Sequence, residues 1–224
     1  MKFEMFGITG VKGIIFDCYN TLIDIRTEED NVSTYEFVAK WMIYKGVKIE
    51  PHELMSEYKR MVEEELERRW EKYPEARVDE IFGKICKNHS IWEIDETILG
   101  KEAACAFRAG SLRRLQLFSQ SFRLLKELED YPKAIVSNGQ RVFSELELRY
   151  FGIFDLFKAV IFSSDFGHKK PDPRIFLEAT KRLNLEPEEI LSIGDNLEND
   201  IVPSTKLGMK AMHIEEAWKL FNVR

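Results

Sequence analysis

The chain has 224 residues, 44% of them hydrophobic and 32% charged, which is enough to bury one sizeable core with or without an insertion. A formal net charge of −6 argues against a nucleic-acid partner, since no basic face is available to neutralise phosphates. No apolar run approaches a membrane span or a signal peptide, and the three cysteines lack metal-like spacing. These features predict a cytoplasmic protein with reduced thiols and without membrane partners.

The segment from about residue 24 to residue 110 is rich in charge and has helical periodicity, and we expect no strand in it. A first helix runs through VSTYEFVAKWMIYKG and is expected to stop near Gly46. The stretch from Pro51 to Pro74 is expected to form one long helix, because Pro51 suits a first turn. VDEIFGKICKNHS and IDETILGKEAACAFRAG predict two more helices. Four aromatic residues should fill the core of this region: Trp41, Trp70, Trp92 and Phe107.

The segment after about Leu112 alternates between short apolar runs and helical stretches. The runs AIVSN, AVIFSSD, ILSIGD and MKAMHI are typical of buried strands, and helices of roughly ten to fifteen residues separate them. This alternation predicts βαβ units and a parallel sheet. The apolar run that starts at Ile14 belongs with these strands, so the helical region is an insertion into an α/β domain.

Polar residues stand where four predicted strands end. They are Asp17, Ser137-Asn138-Gly139, Lys170 in the loop after AVIFSSD, and Gly194-Asp195-Asn196. In a parallel sheet built from right-handed βαβ units, these ends lie at one edge, where ligands bind. Each motif alone is ordinary turn or loop sequence. Four of them at strand ends predict one functional site.

Together these residues resemble the four ordered motifs of the haloacid dehalogenase-like hydrolase superfamily. The matching positions are Asp17 with Thr21, Ser137, Lys170 before Pro171-Asp172-Pro173, and Gly194-Asp195 with Asp200. The resemblance covers essentially the whole chain and implies a three-layer α/β fold, with a Rossmann-like parallel sheet and helices on both faces. It implies a core of residues 1–23 and 111–224 with an inserted α-helical cap of residues 24–110. It also implies a hydrolase in which an aspartate forms a covalent intermediate.

The resemblance assigns a role to each residue at this edge. Asp17 would be the nucleophile, because a covalent intermediate divides a difficult displacement into two easier ones. Thr21 and Ser137 would hydrogen-bond the transferred group, and Asn138 precedes a helix whose first N–H groups favour an anion. Lys170 would supply a positive charge beside the nucleophile. A small anionic molecule is the expected substrate, since the cap closes over the site.

A magnesium site is implied at the same edge. Asp195 resembles the Mg²⁺ ligand of the superfamily, and Asp17 and the backbone carbonyl of Tyr19 would be further ligands. Asp200 and Asn196 would support them. Two carboxylates about 4 Å apart repel by roughly 4 kcal/mol at an effective dielectric constant of about 20, and a bound cation relieves this repulsion. Mg²⁺ is therefore the expected cofactor.

Tyr19 leaves the type of reaction open. Phosphatases of this superfamily usually carry a second Asp there to protonate the leaving alcohol, whereas dehalogenases often carry Tyr, because halide needs no proton to leave. Phe176 stands where dehalogenases usually have Tyr, and the early cap lacks their Arg. These two differences favour a magnesium-dependent phosphatase of a small phosphorylated metabolite. A metal-independent 2-haloacid dehalogenase stays as the alternative, followed by a weakened anion-binding protein; a monomer and a homodimer are both open.

Overall fold

The computed structural model describes Phe3 and residues 8–223. Residues 1, 2, 4–7 and 224, at the ends of the expected core domain, lie outside the described residues. The elements in chain order are β1 (Gly13–Phe16), β2 (Ile23–Thr27), α1 (Val32–Ile43), α2 (Pro51–Arg68), α3 (Val78–His89), α4 (Glu96–Ser111), β3 (Leu112–Leu117), α5 (Ser119–Glu127), β4 (Lys133–Ser137), α6 (Arg141–Tyr150), β5 (Ala159–Phe162), α7 (Ser163–Phe166), α8 (Pro173–Leu183), β6 (Ile190–Gly194), α9 (Val202–Lys206), β7 (Lys210–His213) and α10 (Ile214–Leu220).

Five of these strands form a parallel sheet in the order β5-β4-β1-β6-β7. β1 is central, with Ile14 opposite Lys133 of β4 on one side and Leu191 of β6 on the other. β1, β4 and β6 are buried along their whole length, as expected for strands whose two faces are both covered. The predicted α/β fold with a parallel sheet is confirmed.

Helices cover both faces of this sheet. Ile14 and Phe16 pack in one cluster with Leu124 of α5, while Ile15 packs in a second cluster with Phe176 of α8. The two clusters lie on opposite faces because successive side chains of a strand point in opposite directions. The result is the predicted three-layer arrangement.

A second, two-stranded sheet is formed by β2 and β3, which pair antiparallel with Ile25 opposite Leu115. The prediction that no strand occurs between residues 24 and 110 is therefore wrong for β2. Its sequence, IDIRT, is mostly half-buried and lacks a long apolar run, and its partner follows only after four helices. Both ends of the helical insertion thus meet in one small sheet.

Helices α1 to α4, which we call the cap helices, share a single apolar cluster. The first helix ends at Ile43 before Gly46, whose φ is 75°, as predicted. The predicted length of the second helix is wrong, because α2 ends at Arg68. The chain beyond it pairs with the core instead: the N–H of Lys169 donates to the carbonyl of Tyr73 at 2.9 Å. None of the helices in the described part of the chain is long and apolar enough to cross a membrane.

The aromatic residues of the cap do not all lie in its core. Phe107 is buried and Trp41 packs against the cap cluster, as predicted. Trp70 is fully exposed and Trp92 is 54% exposed, so the prediction is wrong for these two. Trp70 follows the end of α2, so its side chain is not part of the apolar stripe of that helix and is exposed.

Candidate active site

Asp17 follows the central strand directly and is held there by the sheet. Its N–H donates to the carbonyl of Ile193 at 2.9 Å, so the strand pairing continues through the residue. The carboxylate is 8% exposed and accepts two hydrogen bonds, from Lys170 Nζ at 2.6 Å and from Thr21 Oγ1 at 3.0 Å. A carboxylate held in this way has little freedom to turn away from the edge of the sheet.

The turn after Asp17 brings Thr21 back beneath the carboxylate. Asn20 has a φ of 59°, and its N–H donates to the carbonyl of Ile23 at 2.7 Å. Asn is among the few residues other than Gly that adopt this left-handed conformation readily. The sequence pattern offered no reason for Asn20, and the turn geometry supplies one.

Lys170 bridges two strand ends. Its Nζ lies 2.6 Å from Asp17 Oδ1 and 2.6 Å from Asp200 Oδ1, and the residue is 4% exposed. Burial lowers the pKa of Lys170, but the two carboxylates raise it by more, so the net shift is upward. The ammonium therefore stays charged between its partners.

Asn138 fixes the backbone of Lys170. The side-chain amide donates from Nδ2 to the Lys170 carbonyl at 3.1 Å and accepts from the Lys170 N–H at 2.7 Å. Ser137 is buried at the end of β4, and helix α6 follows at Arg141. The structure thus gives Asn138 a role in positioning Lys170, while its contact with substrate, like that of Ser137, stays a prediction.

Three carboxylates come together at this edge. One oxygen from each of Asp17, Asp195 and Asp200 lies within 4.8 Å of the others. Burial raises the pKa of all three, although Lys170 opposes the shift. Among the described residues, Lys170 is the one cation in hydrogen-bond contact with them, so the ionised cluster keeps two uncompensated negative charges. Carboxylate oxygens are the ligands that Mg²⁺ prefers, and a divalent cation would balance this charge. The residues fit a magnesium site.

Asp200 and Asn196 belong to the turn that follows β6. The N–H of Asn196 donates to Asp200 Oδ2 at 3.1 Å, and Asn196 Oδ1 accepts from the N–H groups of Glu198 and Asn199. Asn196 therefore begins the helical turn that carries Asp200, and Asp200 is oriented from both of its oxygens. This arrangement agrees with a supporting rather than a ligating role for both.

Gly194→Ala is expected to disturb Asp200 directly. A Cβ at this position would lie 2.5 Å from Cγ and Oδ2 of Asp200, so the carboxylate would have to leave the position in which it pairs with Lys170. Overpacking of this kind typically destabilises a protein by about 1–3 kcal/mol. Thermal unfolding measures the loss. Gly152→Ala is a useful control, because its Cβ would meet no atom within 4 Å and only the positive φ of 68° opposes it. An unfolding temperature of Gly194→Ala equal to that of the wild type would contradict the predicted collision.

Tyr19 does not offer its hydroxyl to the carboxylate cluster. The phenol donates to Glu147 Oε2 and lies 2.7 Å from Ser144 Oγ, and Arg108 Nη2 donates to it at 3.4 Å. Burial above all raises the pKa of the Tyr19 phenol well above its usual value, so it stays protonated. These contacts leave it no role as a general base.

Sequence reasoning missed Glu147, Ser144 and Arg108. One signal was present: in RVFSELELRY, Glu147 falls on the same helical face as the apolar Phe143 and Leu148. A carboxylate on a buried helix face needs a charged or hydrogen-bonding partner. The identity of that partner depends on tertiary contacts between α6 and a cap helix.

A groove of about 870 Å³ lies between the cap helices and α6. Trp41, Cys105 and Val142 contribute to its wall, and none of the three clustered aspartates lines it. The carboxylate cluster therefore lies apart from this groove.

Comparison with known proteins identifies a family and several relatives of this chain. The sequence model for the family described as haloacid dehalogenase-like hydrolase matches residues 11–203. A 2-haloacid dehalogenase from Pseudomonas syringae pv. Tomato DC3000 has a TM-score of 0.64 at 22% identity, covering 90% of this chain and 85% of that one. At this identity the likeness demonstrates a shared fold.

Several curated relatives are named glyceraldehyde 3-phosphate phosphatase. The protein of Methanopyrus kandleri is 38% identical over 79 residues, which is 35% of this chain and 34% of the relative. The protein of Methanocaldococcus jannaschii is 26% identical over 206 residues, which is 91% of this chain and 85% of the relative. The matches to the first three relatives of this name span between 34% and 57% of their length.

Proposed function

The chain belongs to the haloacid dehalogenase-like hydrolases, and we propose that within this family it is a magnesium-dependent phosphatase acting on a small phosphorylated metabolite. The observation that carries the proposal is the cluster of Asp17, Asp195 and Asp200 with Lys170 as its cation. Asp195 and Asp17 would hold the ion together with the backbone carbonyl of Tyr19. When bound, Mg²⁺ supplies positive charge that screens a phosphate dianion from the carboxylates.

The reaction begins with attack of the Asp17 carboxylate on phosphorus. A bond forms between a carboxylate oxygen and phosphorus, and the bond from phosphorus to the alcohol oxygen breaks. Lys170 balances charge on Asp17, and Thr21 and Ser137 bind oxygens of the transferred group. Water then attacks phosphorus, which releases inorganic phosphate and restores the carboxylate. The attacking water gives up one proton to solvent and the leaving alkoxide takes up one proton from solvent, so the protons balance.

Tyr19 gives little support to the dehalogenase alternative. Its phenol is occupied by Glu147 and Ser144, so a cap–core contact explains why Tyr stands at this position. A halide displacement needs no metal, and it gives no reason for two uncompensated negative charges at the site. The missing acid does predict slower turnover of substrates with poor leaving groups, since general acid catalysis is typically worth about 10²–10⁴-fold.

The relatives suggest the first substrate to test. Their name, glyceraldehyde 3-phosphate phosphatase, points to a phosphate monoester of a short sugar, and we propose a substrate of this class for a cytoplasmic enzyme. A small molecule also agrees with cap helices that lie next to the site.

The proposal is tested by measuring phosphate release from glyceraldehyde 3-phosphate and p-nitrophenyl phosphate, with Mg²⁺ or with EDTA, beside chloride release from 2-chloropropionate. We expect phosphate release that requires Mg²⁺ and no chloride release. Chloride release without metal would replace the phosphatase by the dehalogenase. Failure to turn over either class, with retained binding of phosphate, would favour the anion-binding protein.

A further inference from the structure

Arg108, in the last turns of cap helix α4, contacts three separate parts of the chain. Its Nε lies 3.1 Å from Glu147 Oε1 of α6, and its Nη1 donates to Glu29 Oε1, between β2 and α1, at 3.2 Å. Its Nη2 donates to the hydroxyl of Tyr19 at 3.4 Å, and the same hydroxyl donates to Glu147. We call Arg108, Glu147 and Tyr19 the cap–core clamp.

The clamp is buried, and its ion pair is a close charge contact, because neither Arg108 Nε nor Glu147 Oε1 has a hydrogen-bond partner among the described residues. The side chain of Arg108 is 12% exposed and that of Glu147 is 8% exposed. The guanidinium also lies over the ring of Phe143, 4.0 Å from its centroid. When one partner of a buried ion pair is removed, the other is left as an uncompensated charge. The cap helix and α6 are therefore held in one relative position beside Tyr19.

The clamp joins the cap to both sides of the active edge. Tyr19 is on the loop that begins with Asp17, only two residues further along the chain. Glu147 is on α6, the helix that follows Ser137. Arg108 lies in α4 just before the chain enters β3, the strand through which the cap helices return to the core. A shift of Arg108 would therefore displace the loop that begins with Asp17 and helix α6.

We propose that Arg108 and Glu147 are positioning residues that hold the cap helices over the site and fix the loop carrying Asp17. Their effect passes through Tyr19. A protein whose competent arrangement is only partly populated binds its ligand more weakly by that fraction. Loss of the clamp should therefore raise KM more than it lowers kcat. The inference holds for any leaving group that Asp17 displaces, so it does not rest on the proposed phosphatase.

The test compares Arg108→Met, Glu147→Gln and the double variant with the conservative Arg108→Lys. Hydrogen exchange of residues 24–31 and 104–117 is measured on each full-length protein, with KM and kcat. We expect each single variant to raise KM about tenfold and to speed exchange in both segments. The double variant should be no worse than the singles, because neither Arg108 nor Glu147 is then left as a buried unpaired charge. Arg108→Lys should recover part of the loss.

Lys87→Met is the matched control. Lys87 of α3 pairs with Glu96 of α4 at an exposed position outside both measured segments, so its loss should leave KM and exchange unchanged. Single variants with a lower unfolding temperature but wild-type exchange, KM and kcat would overturn the proposal, as would additive effects in the double variant. If Arg108→Met does not fold, Arg108→Lys and Glu147→Gln carry the same comparison. Hydrogen exchange needs no substrate, so a failure of the proposed phosphatase activity can be distinguished from a failure of the proposed clamp.

Discussion

Asp17→Asn is expected to lower kcat/KM for a phosphate monoester by at least about 10⁴-fold, because a neutral amide cannot replace the carboxylate as a nucleophile. The amide keeps the size of the side chain; its single oxygen can keep the hydrogen bond from Lys170, while its Nδ2 can donate to Thr21 Oγ1. Burial already raises the pKa of Asp17, so removing its charge does not oppose folding. The measurement is steady-state phosphate release at saturating Mg²⁺.

Asp130→Asn is the control for this variant, because Asp130 is exposed in the segment before β4, at the opposite end of that strand from Ser137. It should have wild-type activity, and both variants should unfold near the wild-type temperature. Activity of Asp17→Asn within tenfold of the wild type would remove Asp17 from the chemistry. Loss of activity together with loss of the folded state would call for Asp17→Ser as a second variant.

Asp195→Asn is expected to weaken Mg²⁺ binding strongly, because Asp195 is a proposed ligand. Loss of a residue that only supports a metal ligand typically lowers metal affinity by about 10–100-fold, and the effect here should be larger. The change removes one of the two uncompensated negative charges of the cluster. Asp195 is also its least buried member, with a side chain open to an incoming ion. Calorimetric titration with Mg²⁺ measures binding directly, and titration of activity with Mg²⁺ measures its consequence.

Glu198→Gln serves as the matched control, since Glu198 is exposed on the same turn and lies outside the cluster. It should bind Mg²⁺ as the wild type does. EDTA should abolish turnover of the wild type, and added Mg²⁺ should restore it. Unchanged Mg²⁺ affinity in Asp195→Asn, or full turnover in EDTA, would contradict the proposed metal site.

The core sheet was predictable because its strands carry their signal locally. The runs at β1, β4 and β6 are mostly apolar and are buried along their whole length, which is the pattern of strands buried on both faces. Once a parallel sheet is expected, chain direction alone brings Asp17, Ser137 and Asp195 to the same edge. The convergence of the carboxylates follows from topology and needs no knowledge of individual contacts.

The features that were missed depend on partners distant in the chain. β2 is a strand because β3 lies beside it, and neither has a strong pattern of its own. The second cap helix stops at Arg68 because the following residues pair with the core rather than continue a helix. The clamp could not be predicted for the same reason. The sequence shows Tyr19 only as a replacement for an acid, and its contact with Glu147 exists only in the folded chain.

The most direct test of the account is to look for the phosphoryl group on Asp17. Enzyme turning over p-nitrophenyl phosphate with Mg²⁺ is quenched in acid, reduced with borohydride and analysed by peptide mass spectrometry, since reduction of an aspartyl phosphate leaves homoserine. We predict homoserine at position 17, and only when both substrate and Mg²⁺ are present. Phosphorylation of another side chain, or sustained phosphate release with position 17 unmodified at every quench time, would contradict a covalent role for Asp17.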